Sequence, residues 1–339
     1  MNQYTELEAA KRCVWDALQA LAGPDAAAAA AQVLTPGSEW VVSHPVNALA
    51  GPGEVVAQFI TPLHRALPDL EWRPDLFFAG HWDGRVDGGA GVWVTTTGHW
   101  LGTFTQPLWG IPASAEPAWL RYGGFFRVVD GRIAEGRLLL DLVDLARQAG
   151  CPVLPASTGQ ALLVPGPRTR DGVLLSLQDP DLSAASLALV EAMIGGLGRY
   201  DRNDLKSMGM GAFWRPDMMW YGPGGIGSSR GIGGFERHHQ KPFLTAFPDR
   251  KGGNHRARFA EGHYVASTGW PSVRATHAGP YLGEPASGGP ITMRVMDWWR
   301  AQDGLLAENW VLIDLPHLFL QFGVDLLARA ADPSRAVKR

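Results

Sequence analysis

The sequence predicts an α+β protein of two tandem domains, each a curved antiparallel sheet packed against three helices. Three observations predict this fold class. The chain repeats itself, each repeat runs from helical patterns to long strand patterns, and a proline-rich segment separates the repeats. Helices gathered on one face of an antiparallel sheet are a common solution for such an order of elements. We therefore expect domains at residues 1–150 and 181–330, joined by a linker at 151–180.

The repeat is clearest where the two copies end. Asp130–Gly150 reads DGRIAEGRLLLDLVDLARQAG and Asp303–Gly323 reads DGLLAENWVLIDLPHLFLQFG, so D-G, A-E, a later Asp-Leu and Q-x-G recur at one constant offset of 173. The front halves align at an offset of 180, which relates Trp40 to Trp220. Matches held without a gap over whole segments indicate an internal duplication.

The elements of each copy follow from the spacing of apolar residues. Tyr4–Leu21 and its counterpart Asp181–Leu197 carry apolar residues on one stripe, which predicts an amphipathic helix at the start of each copy. Runs rich in strand-forming residues, joined by Asp-Gly turns, predict long strands at Trp119–Val129, Arg132–Leu140, Ile291–Ala301 and Leu305–Ile313. Cys151–Pro180 contains several prolines and no long periodic run, which is typical of a linker.

Composition excludes several classes of protein. The chain has 339 residues, 46% of them hydrophobic, with fourteen tryptophans and a net charge of −3, which fits a large packed core. The charge balance, with no Lys/Arg block before the tail Arg335–Arg339, argues against a nucleic-acid partner. The N-terminus has no apolar signal region, and apolar runs such as Ala26–Leu34 are too short to cross a bilayer. We expect a cytoplasmic protein without a membrane partner.

Segments of the second copy resemble a known family. They are THAGPYLGEPASG at Thr276–Gly288, the strand end WWRAQDG, and the later ENWVLID and LFLQFG. They resemble the SnoaL-like polyketide cyclases, which share the cone-shaped fold of nuclear transport factor two and ketosteroid isomerase. The resemblance covers most of both copies and implies two tandem cones, each with a deep pocket between sheet and helices. Because such relatives often dimerise through their sheets, it also implies an intramolecular pseudo-dimer, with a further homodimer left open.

The resemblance implies which residues are catalytic. Asp314 matches the family's catalytic Asp at the end of an E-x-W-x-x-x-D strand, and Asp141 holds that place in the first copy. His277 matches the family's T-H step, and Asn309 stands where many members have His. The first copy departs more from the family, since Gly124 there replaces Asp297. We therefore expect activity in the second pocket.

A lone Asp in an apolar cavity suits acid/base catalysis without a cofactor. Ring closure by aldol addition, or proton transfer beside a carbonyl, needs a base whose pKa is near neutrality, and burial among aromatic side chains raises a carboxyl pKa. His277, Asn309 or a Trp N–H would stabilise the carbonyl oxygen as it gains charge. The alternative role for Asp314 is a helix cap before Leu315 and Pro316, and the two roles are compatible.

Aromatic and histidine side chains are the predicted substrate-binding residues: Trp220, Tyr221, His239, His263, Trp298 and Trp310. Trp298 and Trp299 are adjacent on a strand and must point to opposite faces of the sheet, so one of them is expected to face the pocket. No H-x-x-x-H or cysteine spacing supports a metal site, and we expect neither a metal nor a cofactor.

These features predict a cyclase, isomerase or lyase that acts on a small hydrophobic carbonyl compound. Two alternatives stay open: a non-catalytic ligand-binding or assembly module, and a hydrolase in which the Asp activates water with a second carboxylate or amide beside it. A pocket that reaches Asp314 would favour the enzyme. A pocket plugged by Trp220, Trp298 or Trp310 would favour the module.

Overall fold

The first domain contains a six-stranded sheet. The computed structural model describes residues 3–332, so the basic tail at 335–339 lies outside the described residues. The strands of this sheet are β1 Leu34–Val42, β2 Asn47–Ala50, β3 Glu71–Trp82, β4 Gly91–Thr103, β5 Pro117–Val129 and β6 Arg132–Leu140. They lie in the order β2-β1-β6-β5-β4-β3.

The second domain repeats this sheet with the same order of strands. Its strands are β7 Trp214–Tyr221, β8 Ser228–Arg230, β9 Ala257–Glu261, β10 Tyr264–Thr276, β11 Pro290–Gln302 and β12 Leu305–Ile313. They lie in the order β8-β7-β12-β11-β10-β9. The predicted α+β class with two tandem domains is confirmed.

Helices precede, interrupt and follow the strands of each sheet. In the first domain they are Gln3–Ala22, Ala26–Val33, a continuous stretch of Gly51–Glu54, Val55–Ile60 and Thr61–Ala66, and finally Leu142–Gln148. In the second they are Pro180–Leu197, two short 3-10 turns, a stretch of Gly231–Phe235, Glu236–Gln240 and Lys241–Ala246, and then Leu315–Leu320 and Leu326–Ala331. The middle section of each long stretch is a π-helical turn, a feature that often lies at functional sites.

One pair of strands in each sheet corrects the prediction of an antiparallel sheet. β1 pairs with β6 in parallel, and β7 pairs with β12 in parallel, whereas the other neighbours are antiparallel. The chain leaves β1, passes through the helical stretch at 51–66 and three long strands, and returns beside β1 in the same direction. Such a pairing between distant segments leaves no local turn signal, so the spacing of apolar residues does not reveal it.

The linker packs along both domains. Residues 151–179 contain no helix or long strand, but backbone hydrogen bonds join Phe77 to Gly172 and Leu174 at 2.8 and 2.7 Å. On the other side, Gly159 N–H donates to the Ile226 carbonyl at 2.7 Å. The linker is therefore held at several points along its length.

Helix Pro180–Leu197 is long and apolar enough to span a bilayer by length and composition. A helix that packs inside a protein meets the same criteria, so this finding is weak evidence for a membrane segment. Its buried residues Ser186, Val190, Met193 and Gly196 lie against the second domain.

The two sheets pack against each other through an aromatic layer. Phe259 of β9 lies 5.9 Å from both Phe78 and Phe125 of the first sheet, measured between ring centroids. Trp298 of β11 lies 5.5 Å from Phe125, and its indole N–H donates to the Thr95 hydroxyl at 2.8 Å. These contacts lie on the sheet faces turned away from the helical stretches, so each domain keeps its other face for an interior of its own.

Buried ion pairs cross between the domains beside this aromatic layer. Lys11 is 1% exposed, and its ammonium group donates to Glu261 at 2.6 Å and to the Ser176 carbonyl at 2.8 Å. Glu135 is also 1% exposed and accepts from Arg256 of the second domain at 2.8 Å. Burial raises the pKa of Glu261, and the Ala79 N–H and Lys11 oppose that rise.

Aromatic side chains fill the interior of the first domain. The rings of Trp40 and Phe126 lie 5.7 Å apart, and Phe59 lies 5.7 Å from Trp100. A space of only about 20 Å³ lies beside Trp40, Phe59 and Trp100. A Cβ added at Gly136 would come within 2.6 Å of the Trp40 ring, so the glycine is what allows the tryptophan to occupy this space.

We predict that Lys11→Met lowers the free energy of unfolding by about 3–5 kcal/mol, because it leaves the Glu261 carboxylate buried without its cation. Urea unfolding at pH 8 measures this change. Glu71→Gln is the control, since Glu71 pairs with Arg73 at an exposed site, and we expect a change within about 0.5 kcal/mol. Equal effects of the two substitutions would contradict the stated role of Lys11.

We predict that Gly136→Ala lowers the free energy of unfolding by about 1–3 kcal/mol, because the new methyl group overlaps the Trp40 ring. Gly37→Ala is the matched control: Gly37 also lies on a strand of the first sheet, and an added Cβ would meet no atom within 4 Å. Thermal and urea unfolding of both variants measure the difference. A Gly136→Ala protein as stable as Gly37→Ala would show that the first interior is not filled.

Candidate active site

The second domain encloses a cavity of about 500 Å³ between its sheet and its helices. Its aromatic walls are Trp214, Trp220, Phe235, Phe243 and Trp299, and its polar groups are His239, Arg258, Ser267, Asp297 and Asn309, with Arg202, Asp249, Arg250 and Lys251 also in the lining. A mainly apolar cavity with a few converging polar groups is the usual form of a small-molecule site.

Strand alternation decides which side chains reach this cavity. Asp297 and Trp299 of β11 line it, as do Asn309, Val311 and Ile313 of β12. All five positions are odd-numbered, because side chains two residues apart on a strand share one face of the sheet. The residues between them, Met296, Trp298, Trp310 and Leu312, lie on the opposite face, toward the first domain or the linker.

Two carboxylates line the cavity: Asp249 is exposed, and Asp297 is the one that lies deeper. Its half-buried side chain faces the interior, and burial raises its pKa to about 7. The Asn309 amide, 3.5 Å from Asp297 Oδ1, and the positive charge of Arg258 oppose this rise only in part. A carboxyl group with a pKa near neutrality can both accept and donate a proton at the pH of a cell.

His239 lies in the π-helical turn Glu236–Gln240 and faces the same cavity. Its ring stacks on Trp220 with 4.3 Å between centroids. Burial and the nearby Arg250 lower its pKa to about 3, so the imidazole is neutral. Its Nδ1 is buried and has no hydrogen-bond partner among the described residues, which leaves it available to a ligand.

Arg258 and Ser267 lie in one cross-strand row with Asp297. Arg258 is opposite Ser267 on neighbouring strands, and Ser267 is opposite Asp297. The Arg258 side chain is 8% exposed and donates to the Ser267 hydroxyl at 3.2 Å. The row therefore places a positive charge two strands away from the carboxylate, at about 10 Å between backbones.

The position predicted for Asp314 is corrected. Asp314 is 1% exposed but does not line the cavity. It follows Trp310 and Leu312 in steps of two, so it lies on their face of the sheet and points toward the first domain. Its carboxylate accepts from His44 N–H and from Arg294, each at 2.9 Å, and caps the helix Leu315–Leu320 through His317 N–H at 3.2 Å. The capping alternative describes this residue.

Asp141 has the equivalent position in the first copy. It caps helix Leu142–Gln148 through Asp144 N–H at 3.1 Å and accepts from Gly224 N–H of the second domain at 2.8 Å. Burial raises its pKa to about 6, and Arg121 opposes the rise. Each aspartate thus joins the end of its own β-strand to the opposite domain.

Three of the predicted substrate-binding aromatics face away from the cavity. Trp298 lies in the layer between the sheets. Trp310 donates its indole N–H to the Pro165 carbonyl of the linker at 2.9 Å, and Tyr221 stacks on Trp310 with 5.4 Å between centroids. Of the predicted aromatic residues, only Trp220 lines the cavity, and Trp299 takes the place considered for Trp298.

Two predicted histidines lie outside the cavity as well. His277 is fully buried and stacks on Phe322 with 3.7 Å between centroids, and its Nδ1 accepts from Ser287 N–H at 3.2 Å. It therefore holds the loop after β10. His263 is exposed at the turn between β9 and β10. Neither residue lines the cavity that contains Asp297.

The first copy lacks the polar groups of this site. By the two offsets, Phe59 replaces His239, Gly124 replaces Asp297 and Gly136 replaces Asn309. The Phe126 ring lies within 2.8 Å of a Cβ built at Gly124, and Trp40 covers Gly136. The chain has polar residues where the interior is open and apolar residues where it is filled.

The sequence did not identify Asp297 and Arg258 as cavity residues, and of the pair Trp298 and Trp299 the predicted substrate-binding residue was Trp298, whereas Trp299 lines the cavity. Counting in steps of two from Asn309 would have excluded Asp314 from the face of the sheet that carries Asn309. The equivalent of Asp297 in the first copy is Gly124, so the sequence does show that this position differs between the copies. The alignment of β11 with β12, which places Asp297 opposite Val311, is a long-range pairing that the sequence does not state.

Among residues 3–332 no group of three or more His, Cys, Asp or Glu side chains could hold a metal ion.

Comparison with known proteins identifies the family of the chain. The family model described as SnoaL-like polyketide cyclase matches residues 41–149 and 199–322, one segment in each copy. A search of curated proteins finds no match.

Several solved structures are similar to parts of the chain. AclR, a proposed hydroxylase from Streptomyces galilaeus, is 25% identical, with 42% of this chain and 97% of that chain covered and a TM-score of 0.35. IdmH, a proposed polyketide cyclase from Streptomyces antibioticus, is 23% identical, with 40% and 99% covered and a TM-score of 0.33. An NTF2-like protein from Burkholderia thailandensis is 20% identical, with 42% and 98% covered and a TM-score of 0.32. With the family model matched in both copies, the chain belongs to the SnoaL-like polyketide cyclase family, as a tandem duplication.

Proposed function

We propose that the second domain is an enzyme of the cyclase, isomerase or lyase type, which moves a proton at the carbon beside a carbonyl group in a small hydrophobic compound. The observation that carries the proposal is Asp297, a carboxyl group with a pKa of about 7 in an aromatic cavity of about 500 Å³. Asp297 takes the catalytic role that the sequence assigned to Asp314.

The proposed reaction uses Asp297 twice. As a carboxylate it removes a proton from the carbon beside the carbonyl, and the electron pair of the C–H bond forms an enolate. The enolate carbon attacks a second carbonyl of the same molecule, which makes a C–C bond and an alkoxide. Asp297, now a carboxylic acid, gives its proton to the alkoxide oxygen, so the enzyme ends in its starting state.

The other polar side chains suit the charge that develops on oxygen. The neutral imidazole of His239 can donate a hydrogen bond to the enolate oxygen. Because the ring is not an imidazolium ion, it has no extra proton to transfer to the Asp297 carboxylate. Asn309 donates to the Trp298 carbonyl at 3.0 Å, which fixes its amide beside Asp297. Trp220 and Trp299 supply flat apolar walls, which favour a ring-shaped substrate.

A hydrolase in which Asp297 activates water is the second candidate. That reaction needs an amide or carboxylate beside the base, and the Asn309 amide lies 3.5 Å from Asp297. The filled interior of the first domain fits the non-catalytic module considered from the sequence. The cavity of the second domain is open and is not plugged by a tryptophan, which favours an enzyme there. Incorporation of labelled oxygen from water into the product separates hydrolysis from cyclisation.

We also propose that the two domains act as an intramolecular dimer in which the first domain supports the second. The aromatic layer between the sheets and the Asp141 and Asp314 contacts support this arrangement. The first domain then needs no pocket, which agrees with its filled interior.

We predict that Asp297→Asn lowers proton exchange at the carbon beside a ketone by about 10²–10⁴-fold, because the amide cannot accept a proton. Deuterium incorporation into α-tetralone, followed by NMR, measures the rate. The rate of the unchanged protein should rise with pH through about 7, since the active form of Asp297 is deprotonated and its pKa is about 7.

Asp314→Asn is the matched control for this measurement. It removes a buried carboxylate from the same sheet but from the opposite face, so we expect lower stability and an unchanged rate per folded molecule. Ligand affinity, measured by quenching of tryptophan fluorescence, should stay within about threefold in Asp297→Asn because the cavity keeps its shape. A rate that survives Asp297→Asn, or disappears only in Asp314→Asn, would contradict the role of Asp297.

A further inference from the structure

A second, larger cleft lies on the other side of the same sheet. It has a volume of about 710 Å³ and lies between the second sheet, the linker and the residues Pro74 and Asp75 of the first domain. Alternate residues of β7 separate it from the candidate active site: Arg215, Asp217, Met219 and Tyr221 line this cleft, whereas Trp214 and Trp220 line the inner cavity. We call it the arginine cleft.

Arginine side chains dominate the lining of the arginine cleft. They are Arg168 and Arg170 of the linker and Arg215, Arg230 and Arg300 of the sheet, and the acidic residues that face them are Asp75, Asp217 and Glu308. Five cations against three carboxylates leave an excess of positive charge. In a concave site, charge of one sign raises the local concentration of ions of the other sign.

Two of these arginines have no side-chain partner within the described part of the chain. Glu308 binds Arg300 at 2.6 Å, and Asp217 binds Arg215 at 3.1 Å. The side chains of Arg170 and Arg230 make no hydrogen bond or ion pair with any residue in the range 3–332, and both are exposed to the cleft. Each guanidinium group therefore keeps its planar set of donors for an oxyanion.

The linker that carries Arg170 is fixed in place. Its backbone pairs with Phe77, Pro165 accepts the Trp310 indole N–H at 2.9 Å, and Arg168 N–H donates to Glu308 at 3.2 Å. Pro165 and Pro167 further restrict the backbone. The cleft is thus a formed site, not a gap beside a loose segment.

The equivalent place in the first domain is closed. Glu135 corresponds to Glu308 by the offset of 173, and it binds Arg137 at 2.7 Å and Arg256 from the other domain at 2.8 Å. Around Glu308 the linker backbone takes the place of that second-domain arginine. The arginines beside Glu135 in the first domain are therefore paired with a carboxylate, whereas Arg170 and Arg230 in the arginine cleft of the second domain are not.

We propose that the arginine cleft binds the phosphate group of a small organic molecule, with Arg170 and Arg230 as its main ligands. Two unpaired guanidinium groups match a doubly charged phosphate better than a single carboxylate, and Arg binds phosphate through two parallel hydrogen bonds. The volume exceeds that of a bare phosphate ion. Met219, Tyr221 and Val173 give apolar surface to the rest of the molecule.

Isothermal titration of the full chain with phenyl phosphate and with inorganic phosphate tests this proposal. We expect phenyl phosphate to bind more tightly than inorganic phosphate, and Arg170→Gln with Arg230→Gln to weaken phenyl phosphate by at least tenfold. Arg132→Gln is the matched control, because Arg132 is an exposed arginine of the first domain that has no side-chain partner among the described residues. It makes the same charge change and should alter the affinity by less than twofold.

Failure of phenyl phosphate to bind at millimolar concentration would overturn the proposal, as would equal weakening by the control. Equal affinity for the two probes would overturn the assignment to an organic phosphate. Because Arg170 and Arg230 are exposed, the double variant should unfold at the same urea concentration as the unchanged protein, and Arg230→Gln alone provides a second test. Asp297→Asn should leave this binding unchanged, so the result is independent of the proposed catalytic role.

Discussion

The alternation of side chains along β7, β11 and β12 is the constraint on which the rest of the structure depends. From Met293 to Trp299 of β11 and from Asn309 to Ile313 of β12, the odd-numbered residues face the inner cavity. On the opposite face, Met296, Trp298, Trp310 and Leu312 pack toward the first domain or the linker. One sheet therefore serves two purposes, since the same strands carry Asp297 into the cavity and Trp298 into the contact between domains. A shift of register by one residue would exchange these roles.

Packing between the sheets explains how the two copies diverged. The aromatic layer and the buried pair of Lys11 and Glu261 stabilise the second domain from outside its cavity, so that cavity can stay open and keep a buried carboxyl group. The first copy has Gly124 and Gly136 where the second has Asp297 and Asn309, and its rings occupy the freed space. A filled interior stabilises a domain, whereas a cavity with polar groups is a cost that function can justify.

Much of the fold could be predicted from the sequence, and part of the site could not. Periodicity and the repeat predicted the long strands to within two residues, as in Leu305–Ile313, because apolar spacing is a local signal. The parallel pair of β7 and β12 and the register between β11 and β12 are long-range pairings without a local signal. Asp314 was assigned to the pocket because it matches the family's catalytic Asp. It lies five residues after Asn309, however, and an odd separation places it on the opposite face of the sheet.

The proposed chemistry depends on the ionisation of Asp297 inside an apolar cavity. Its pKa can be measured directly by carbon-13 NMR of the labelled aspartate carboxyl groups, with the Asp297 signal identified by its loss in Asp297→Asn and distinguished from that of Asp141. We predict a titration midpoint near pH 7. A midpoint near pH 4, the ordinary value for an aspartate in water, would mean that the cavity does not tune this carboxyl group and would contradict the account.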